Sequence, residues 1–487
     1  MIINLFFEFV CLSCLTIIVV QCRATHPVPP RLIMLFTLSR HGDRTPINVI
    51  HGDPYTKHWT SGYAQLTVTG AAQLVELGQF VRNRYGAFIP PTYHKDKCFF
   101  RSSGTHRTLM SASSFIRGLY HSEQEKSDYV PPPVFSTSEN EDHLLKMSQN
   151  CPAYRDTVHT LMSTDQVSKK VASFANTLKV LQVEFPQMYK LPPDSMNLLR
   201  PSWEICDHVS IWIRHKLPNR PTWLTERVVS DCHDLITYKM STFYSTLNLR
   251  RFRGGPLAAH LVRLLRIRAN AELDPDVTLP NPLPEPLGLD LMEPVNQKML
   301  LVSYFAHDST LSALMSHFGI FNKQIPPLAS CLLVELHRVS QPADQPFEEF
   351  FVRFAYRNFT GLDLPVSERQ KKKPILLWPP ACGPKDLAVE QDYLCSLTVL
   401  ESTIRGTYLL KSQPEQCYSH TDSDKVMELL ITPDCTMHLF VLIIILVQVF
   451  LIFCLFHRLR RSGCKLRTVH VRTAIGPVHS HRISHAH

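Results

Sequence analysis

Charge is scarce in this sequence: Asp, Glu, Lys and Arg make up 19% of its 487 residues, against 44% hydrophobic side chains. That balance excludes a disordered or fibrous chain and supplies apolar material for one large core, or two in contact. No internal repeat is present. Lys and Arg are missing from the first twenty residues, where Met1 to Val20 is apolar except for a few positions such as Glu8. The small and polar stretch Gln21-Cys22-Arg23-Ala24-Thr25 follows, so residues 1–24 are expected to be a secretory signal without the usual basic start.

The last thirty residues contain no Asp, Glu or Tyr. They hold seven Lys or Arg, so that of the formal net charge of +9 only two charges belong to the rest of the chain. Leu439 to Phe456 is an apolar run interrupted only by Gln448, followed at once by Arg458, Arg460 and Arg461 and preceded by Asp422, Asp424 and Asp434. Such a run is long enough to cross a bilayer, and the flanking arginines place the following tail in the cytosol. The expected organisation is a signal at 1–24, a luminal or extracellular domain at 25–436, a transmembrane helix at 437–457 and a basic tail at 458–487. The basic patch lies beside anionic headgroups, which makes the membrane its partner and argues against nucleic acid.

Of the fourteen cysteines, nine (Cys98 to Cys435) fall in the expected lumen, where pairing is expected but cannot be deduced from spacing. Asn358-Phe359-Thr360 is the one glycosylation sequon.

Three stretches share a pattern in which an apolar run stops at a cationic residue before a helix-like segment. Leu32 to Leu38 runs into Arg40-His41-Gly42-Asp43-Arg44-Thr45-Pro46, Cys98-Phe99-Phe100 into Arg101-Ser102-Ser103-Gly104, and Met299 to Ala306 into His307-Asp308. Each reads as strand, functional loop and helix, with Ser309 or Thr310 as the cap of the third helix. Unbroken apolar runs suggest strands buried on both faces, hence an α/β fold with a mostly parallel sheet covered by helices and ligands outside the carboxyl ends of the strands. A helical insertion with Pro-rich joints is expected at about 120–291, and Ser367 to Pro380 reads as a surface loop.

An imidazole between two guanidiniums at the end of a buried strand is an anion site, because Arg offers forked donors to phosphate oxygens and does not lose its proton. The arginines disfavour a divalent metal, and no Cys or His cluster with ligand spacing is nearby. Added to Arg101, His307 and the adjacent Asp308, the set suits phosphoryl transfer: His41 would attack phosphorus and Asp308 would protonate the leaving alkoxide.

Arg40-His41-Gly42-Asp43-Arg44-Thr45-Pro46 resembles the Arg-His-Gly-x-Arg-x-Pro signature of the histidine acid phosphatases, and His307-Asp308 their second signature. The similarity extends to Gln65-Leu66-Thr67, Arg107-Thr108-Leu109-Met110-Ser111-Ala112, Ala329-Ser330-Cys331 and Tyr356-Arg357-Asn358, which is the pattern of the animal prostatic and lysosomal enzymes. The resemblance implies a phosphoglycerate-mutase-like core with a helical cap, hydrolysis of phosphate monoesters at acidic pH without metal or other cofactor, and a possible homodimer. It further implies His41 as nucleophile, Asp308 as proton donor, and Arg40, Arg44, Arg101 and His307 as phosphate ligands. The implied disulfides are Cys151 with Cys417, Cys206 with Cys331, and Cys382 with Cys395. Two departures stand out: Gly104 and His106 occupy positions where relatives usually carry Asp, and the tail lacks the tyrosine signal of lysosomal relatives.

A non-catalytic surface binding module of the same fold is the competing reading; it would normally have lost His41 or Asp308, and both are present. Residence at the plasma membrane or in a lysosomal or endosomal membrane is expected, the absent tyrosine favouring the surface. Truncation after about Asp434 should release active protein into the medium; a truncated protein that resisted alkaline extraction from membranes would move the anchor to the N-terminus.

Overall fold

The computed structural model describes residues 29–120, 130–146, 151–192, 194–274, 296–339, 350–358, 365–386 and 392–408. The expected signal, membrane span and tail lie outside the described residues, as do Cys417 and the last two residues of the sequon. Among the described residues no helix is long and apolar enough to cross a membrane.

Strand β1 (Arg31–Arg40) leads to helix α1 (Val68–Tyr85), then β2 (Cys98–Ser102) and α2 (His106–Tyr120). A helical run follows: α3 (Pro152–Met162), α4 (Asp165–Ala172), α5 (Ala175–Glu184), α6 (Ser195–Arg214), α7 (Glu226–Thr242) and α8 (Leu247–Leu273). The chain returns as β3 (Leu301–Ala306), α9 (Asp308–His317), β4 (Cys331–Arg338), β5 (Phe350–Arg357), α10 (Val366–Lys371), β6 (Ile375–Leu377), β7 (Cys395–Ser396) and α11 (Leu397–Tyr408).

The strands form one sheet in the order β2-β3-β1-β4-β5-β6, with β7 beside β5. Only β2–β3 and β3–β1 are parallel; β4, β5, β6 and β7 join by antiparallel pairing, so the sheet is mixed and not mostly parallel. The expectation failed because an unbroken apolar run reports burial on both faces and is silent on direction. Cys331 to His337 of β4 is as thoroughly buried as β1, yet runs the other way.

Side chains alternate between two cores, as the twofold period of a strand requires. Phe36, Leu38, Val302 and Tyr304 pack on one face with Leu257, Leu261 and Leu265 of α8 and Leu311 and Leu314 of α9. Leu35, Leu301 and Phe305 pack on the other with Leu74 and Leu77 of α1 and Phe115 of α2. Helices α3 to α7 enclose a third core around Val158, Leu181, Trp212 and Leu235, which also takes Tyr55 and Trp59 from the loop after β1. Helix α8 belongs to two cores, since Leu249 sits in the third and Leu257 onward in the sheet's own. The second half of α8 is therefore a layer on the sheet, inside the range expected for the insertion.

Two local expectations are corrected. His307 is the N-cap of α9, because Asp308 accepts a hydrogen bond from the Ser309 amide (2.7 Å) and starts the first turn itself, ahead of Ser309 and Thr310. The expected loop at Ser367 to Pro380 contains α10 and β6; buried Arg369 anchors it through Glu76 (2.7 Å), which also holds Arg357 (2.8 Å).

Cys206 pairs with Cys232, Cα atoms 4.9 Å apart, and not with Cys331. Cys206 on α6 and Cys232 on α7 share the helical core, whereas Cys331 opens β4 in the sheet core and is a free, buried thiol, as is Cys98. Cys382 pairs with Cys395 as expected. Cys151 is disulfide-bonded, and its expected partner Cys417 lies outside the described residues. Non-reducing peptide mapping should recover Cys206–Cys232 and Cys382–Cys395, with Cys98 and Cys331 alkylated only after denaturation; a Cys206–Cys331 peptide would refute the assignment.

Candidate active site

The parallel strands deliver the chemistry. Arg40 lies opposite Ala306, and the His41 amide donates to the Ala306 carbonyl at 3.0 Å, so His41 and His307 leave adjacent strands side by side, ring centroids 5.7 Å apart. The Ser103 amide donates to Phe305 (3.0 Å), bringing the β2 loop to the same edge. Gly42 is required by packing: a Cβ there would meet the Gly70 carbonyl oxygen at 2.2 Å, where the start of α1 presses against the loop.

The ring of His41 is fixed and buried, with Nδ1 2.8 Å from the Gly42 carbonyl oxygen. A carbonyl only accepts, so Nδ1 carries the proton and Nε2 keeps its lone pair. Burial, then Arg40, Arg107 and Arg44, hold the imidazole pKa well below its ordinary value, and the ring is neutral. His307 is also kept neutral, by burial and then Arg107; Arg107 approaches its Nδ1 (3.4 Å), and its Nε2 therefore donates to Ser103 Oγ (3.0 Å).

A cavity of about 240 Å³ is lined by His41, Arg44, Arg107, Lys146, Arg253, His307 and Asp308. Asp308 accepts from Arg40 (2.7 Å), whose other terminal nitrogen donates to the Pro326 carbonyl (2.6 Å). Burial raises the Asp308 pKa, but Arg40, Arg44 and the Ser309 amide outweigh it and the carboxyl sits below its ordinary value. Arg44 is gripped at both terminal nitrogens by Asp207 of α6 (2.8 and 3.1 Å). Among the described residues no group of three or more His, Cys, Asp or Glu is arranged to hold a metal ion.

Of the residues singled out in the sequence, His41, Arg44, His307 and Asp308 line the cavity, and Arg40 stands behind Asp308. Arg101 does not line it; its guanidinium is held by Asp142 (3.0 Å) and Thr137 (3.4 Å). Arg107 stands in the wall in its place, and sequence reasoning had used it only as part of a family motif. Lys146 and Arg253 were missed, since both come from the insertion, where no local pattern marks them. Gly104 and His106 are also accounted for locally. A Cβ at Gly104 would meet the Thr137 carbonyl oxygen at 2.9 Å, in the segment that carries Asp142 to Arg101; His106 is exposed, 3.4 Å from Gln65.

Asp43 ties the loop to the helical core. Its carboxylate accepts from Arg214 (2.6 Å) and His215 (2.8 Å) at the end of α6 and from Thr67 (2.8 Å) at the start of α1. Burial raises its pKa, but these partners bring it down to about 2, below the ordinary 3.8. A depressed carboxylate contributes stability in full above its unfolded pKa and loses it as pH falls toward the folded value, here about 2 kcal/mol on the linkage relation. Asp43→Asn should thus destabilise the protein near neutrality, with the deficit narrowing between pH 4 and pH 2 in urea denaturation; a deficit independent of pH would exclude the charged role.

Comparison with known proteins identifies the family. The chain is 30% identical to the testicular acid phosphatase of Mus musculus over 342 residues, covering 68% of this chain and 73% of that one. It is 26% identical to the lysosomal acid phosphatase of Rattus norvegicus over 435 residues, 87% of this chain and 89% of that one. In fold it resembles the Hafnia alvei phytase in complex with tartrate, with a TM-score of 0.53 at 15% identity, covering 79% of this chain and 98% of that one. Residues 31–357 match the profile of the Histidine phosphatase superfamily (branch 2), and the chain belongs to that family.

Proposed function

We propose that this chain is an acid phosphatase that hydrolyses phosphate monoesters through a phosphohistidine on His41, with its catalytic domain on the luminal or extracellular side of a membrane. The carrying observation is the Nδ1 contact of His41 with the Gly42 carbonyl, which commits the proton to one nitrogen and leaves the other nucleophilic in a cation-lined cavity. Family membership and the acid phosphatase relatives support the reaction class.

The Nε2 lone pair attacks phosphorus, the bond to the leaving oxygen breaks with its electron pair, and Asp308 gives that oxygen a proton. Water then attacks the phosphohistidine, Asp308 takes the water proton, and the P–N electron pair returns to Nε2. Arg44 and Arg107 surround the equatorial oxygens and carry the charge stabilisation that such a transition state needs, and His307 joins them by turning its Nε2–H from Ser103 to a phosphate oxygen. Asp308 is ionised in the free site because Arg40 pairs with it. A bound phosphoryl dianion draws on Arg40 and adds negative charge beside the carboxyl; both raise its proton affinity toward that of a working acid.

His41→Ala should abolish turnover together with acid-labile phosphate on the protein, while Asp308→Asn should slow an alkyl phosphate at least about a hundredfold more than a nitrophenyl phosphate, whose leaving group needs no proton. Retained turnover in the first variant, or equal losses on both substrates in the second, would remove those roles.

A further inference from the structure

We propose that a second cavity, built between the helices and separate from the catalytic one, binds a small aromatic carboxylate, and that Tyr244 carries its occupancy to Asp308.

This cavity measures about 430 Å³, within the range of small-molecule sites, and lies among α3, α4, α7, α8 and the end of α9. It shares no lining residue with the catalytic cavity. Gln166, Ser245 and Lys323 in its wall are exposed, so it opens to solvent.

The lining sets the chemistry of the ligand. Tyr244 and Phe321 meet edge to face, ring centroids 6.0 Å apart, and with Tyr238, Leu161 and Val167 they give an apolar surface on which a flat ring can pack. Arg250 and Lys323 supply positive charge, and among the described residues no Asp or Glu stands in the wall. Neither cation has a carboxylate partner among the described residues; the Nε of Arg250 donates to the Thr246 carbonyl (3.3 Å). Ser316, only 5% exposed, adds a hydroxyl without a hydrogen-bond partner.

The cations are not needed to cap the helices that end here. The Gly319 amide donates to the Ser316 carbonyl (3.1 Å), and the amide and hydroxyl of Ser245 both donate to the Thr242 carbonyl (3.1 and 2.8 Å). The Ser241 hydroxyl is likewise committed, to the Tyr238 carbonyl (2.9 Å). Arg250, Lys323 and Ser316 are thus the donors left for an anion, a set that suits the two oxygens of a carboxylate.

Two connections lead to the catalytic cavity. The Tyr244 hydroxyl donates to the Ser309 carbonyl (2.9 Å), and the guanidinium of Arg253, in the catalytic wall, lies over the same ring (5.7 Å). Helix α9 is the second: Asp308 begins it and Ser316 lies in its last turn, about 12 Å along the axis at 1.5 Å per residue. A ring packed on Tyr244 fills the space beside it and narrows the movement of the Ser309 turn, which favours the geometry in which Asp308 delivers its proton. The coupling rests on the proton-donor role of Asp308; the binding does not.

Calorimetry on the full-length protein with 3-phenylpropionate and 3-phenylpropan-1-ol tests the site. The carboxylate should bind at least about tenfold more tightly, the contribution of one charge-assisted hydrogen bond, and saturating inorganic phosphate should leave its affinity within about threefold. Arg250→Gln should remove the preference for the carboxylate, and Ser316→Leu, which intrudes on the cavity, should weaken both probes. No binding, equal binding of the two, or displacement in proportion to added phosphate would overturn the site. For the coupling, saturating 3-phenylpropionate should raise kcat for propyl phosphate at least about twofold and leave nitrophenyl phosphate unchanged, since only the former needs the proton. Tyr244→Phe should still bind the probe and lose the rise. No rise, an equal change on both esters, or a rise that survives in Tyr244→Phe would overturn the coupling. Should Asp308 prove not to be the acid, Arg250-dependent binding that phosphate does not displace would still uphold the site.

Discussion

The parallel pairing of β1 with β3 is the constraint on which the site depends. The two strands are 266 residues apart in sequence where Thr37 meets Ser303, yet their last residues, Arg40 and Ala306, are in register. A slip of one residue would invert every side chain of β1 between the two faces, sending Phe36 and Leu38 into the wrong core. Because both faces are filled, the register is pinned by packing on each side, and the positions of His41 and His307 inherit that precision. The antiparallel strands serve a different purpose. They widen the sheet on the side of β1 away from β3, and β5 supplies Arg357 to the Glu76–Arg357–Arg369 cluster that fastens α10.

Electrostatics at the end of those strands follow from one demand, that a histidine remain a base among arginines. The surrounding guanidiniums favour an anion in the cavity and repel a proton from the imidazole in the same act, so the ring stays neutral as the medium becomes acidic. The cost is that cations must be buried, and the chain meets it with carboxylates supplied from a distance: Asp207 from α6, Asp142 from the segment after α2, and Asp308 from α9. Asp43 performs the complementary task. It does not line the cavity and holds the loop against Arg214 and His215.

The sequence disclosed the chemistry better than the architecture. Arg40-His41-Gly42-Asp43-Arg44 and His307-Asp308 were readable because strand, loop and helix succeed one another locally, and because an imidazole flanked by guanidiniums has few other uses. Strand direction in β4 and β5 was not readable, since a strand buried on both faces looks the same either way. Cys206 could not be assigned to Cys232 because pairing depends on which helices become neighbours, and spacing does not record that. Arg107 was visible only as part of a motif, and Arg253 not at all: on α8 it is one of several arginines, distinguished from Arg250 and Arg251 only by the aromatic rings that the folded insertion brings to it.

The two unpaired thiols among the described residues have a consequence for how the chain reaches its native state. The disulfides Cys206–Cys232 and Cys382–Cys395 close short loops, separated by 26 and 13 residues, and can form from local encounters. Cys98 and Cys331 are shielded only when the sheet assembles, which for β2 means finding β3 across about two hundred residues, a slow search on topological grounds. Once enclosed, they cease to be good nucleophiles, burial holding the Cys331 thiol up at about 12. Under oxidising conditions, folding is therefore a race between sheet closure and thiol exchange: every delay in docking β2 and β4 lengthens the time during which these two sulfurs can capture a partner that belongs to another bond.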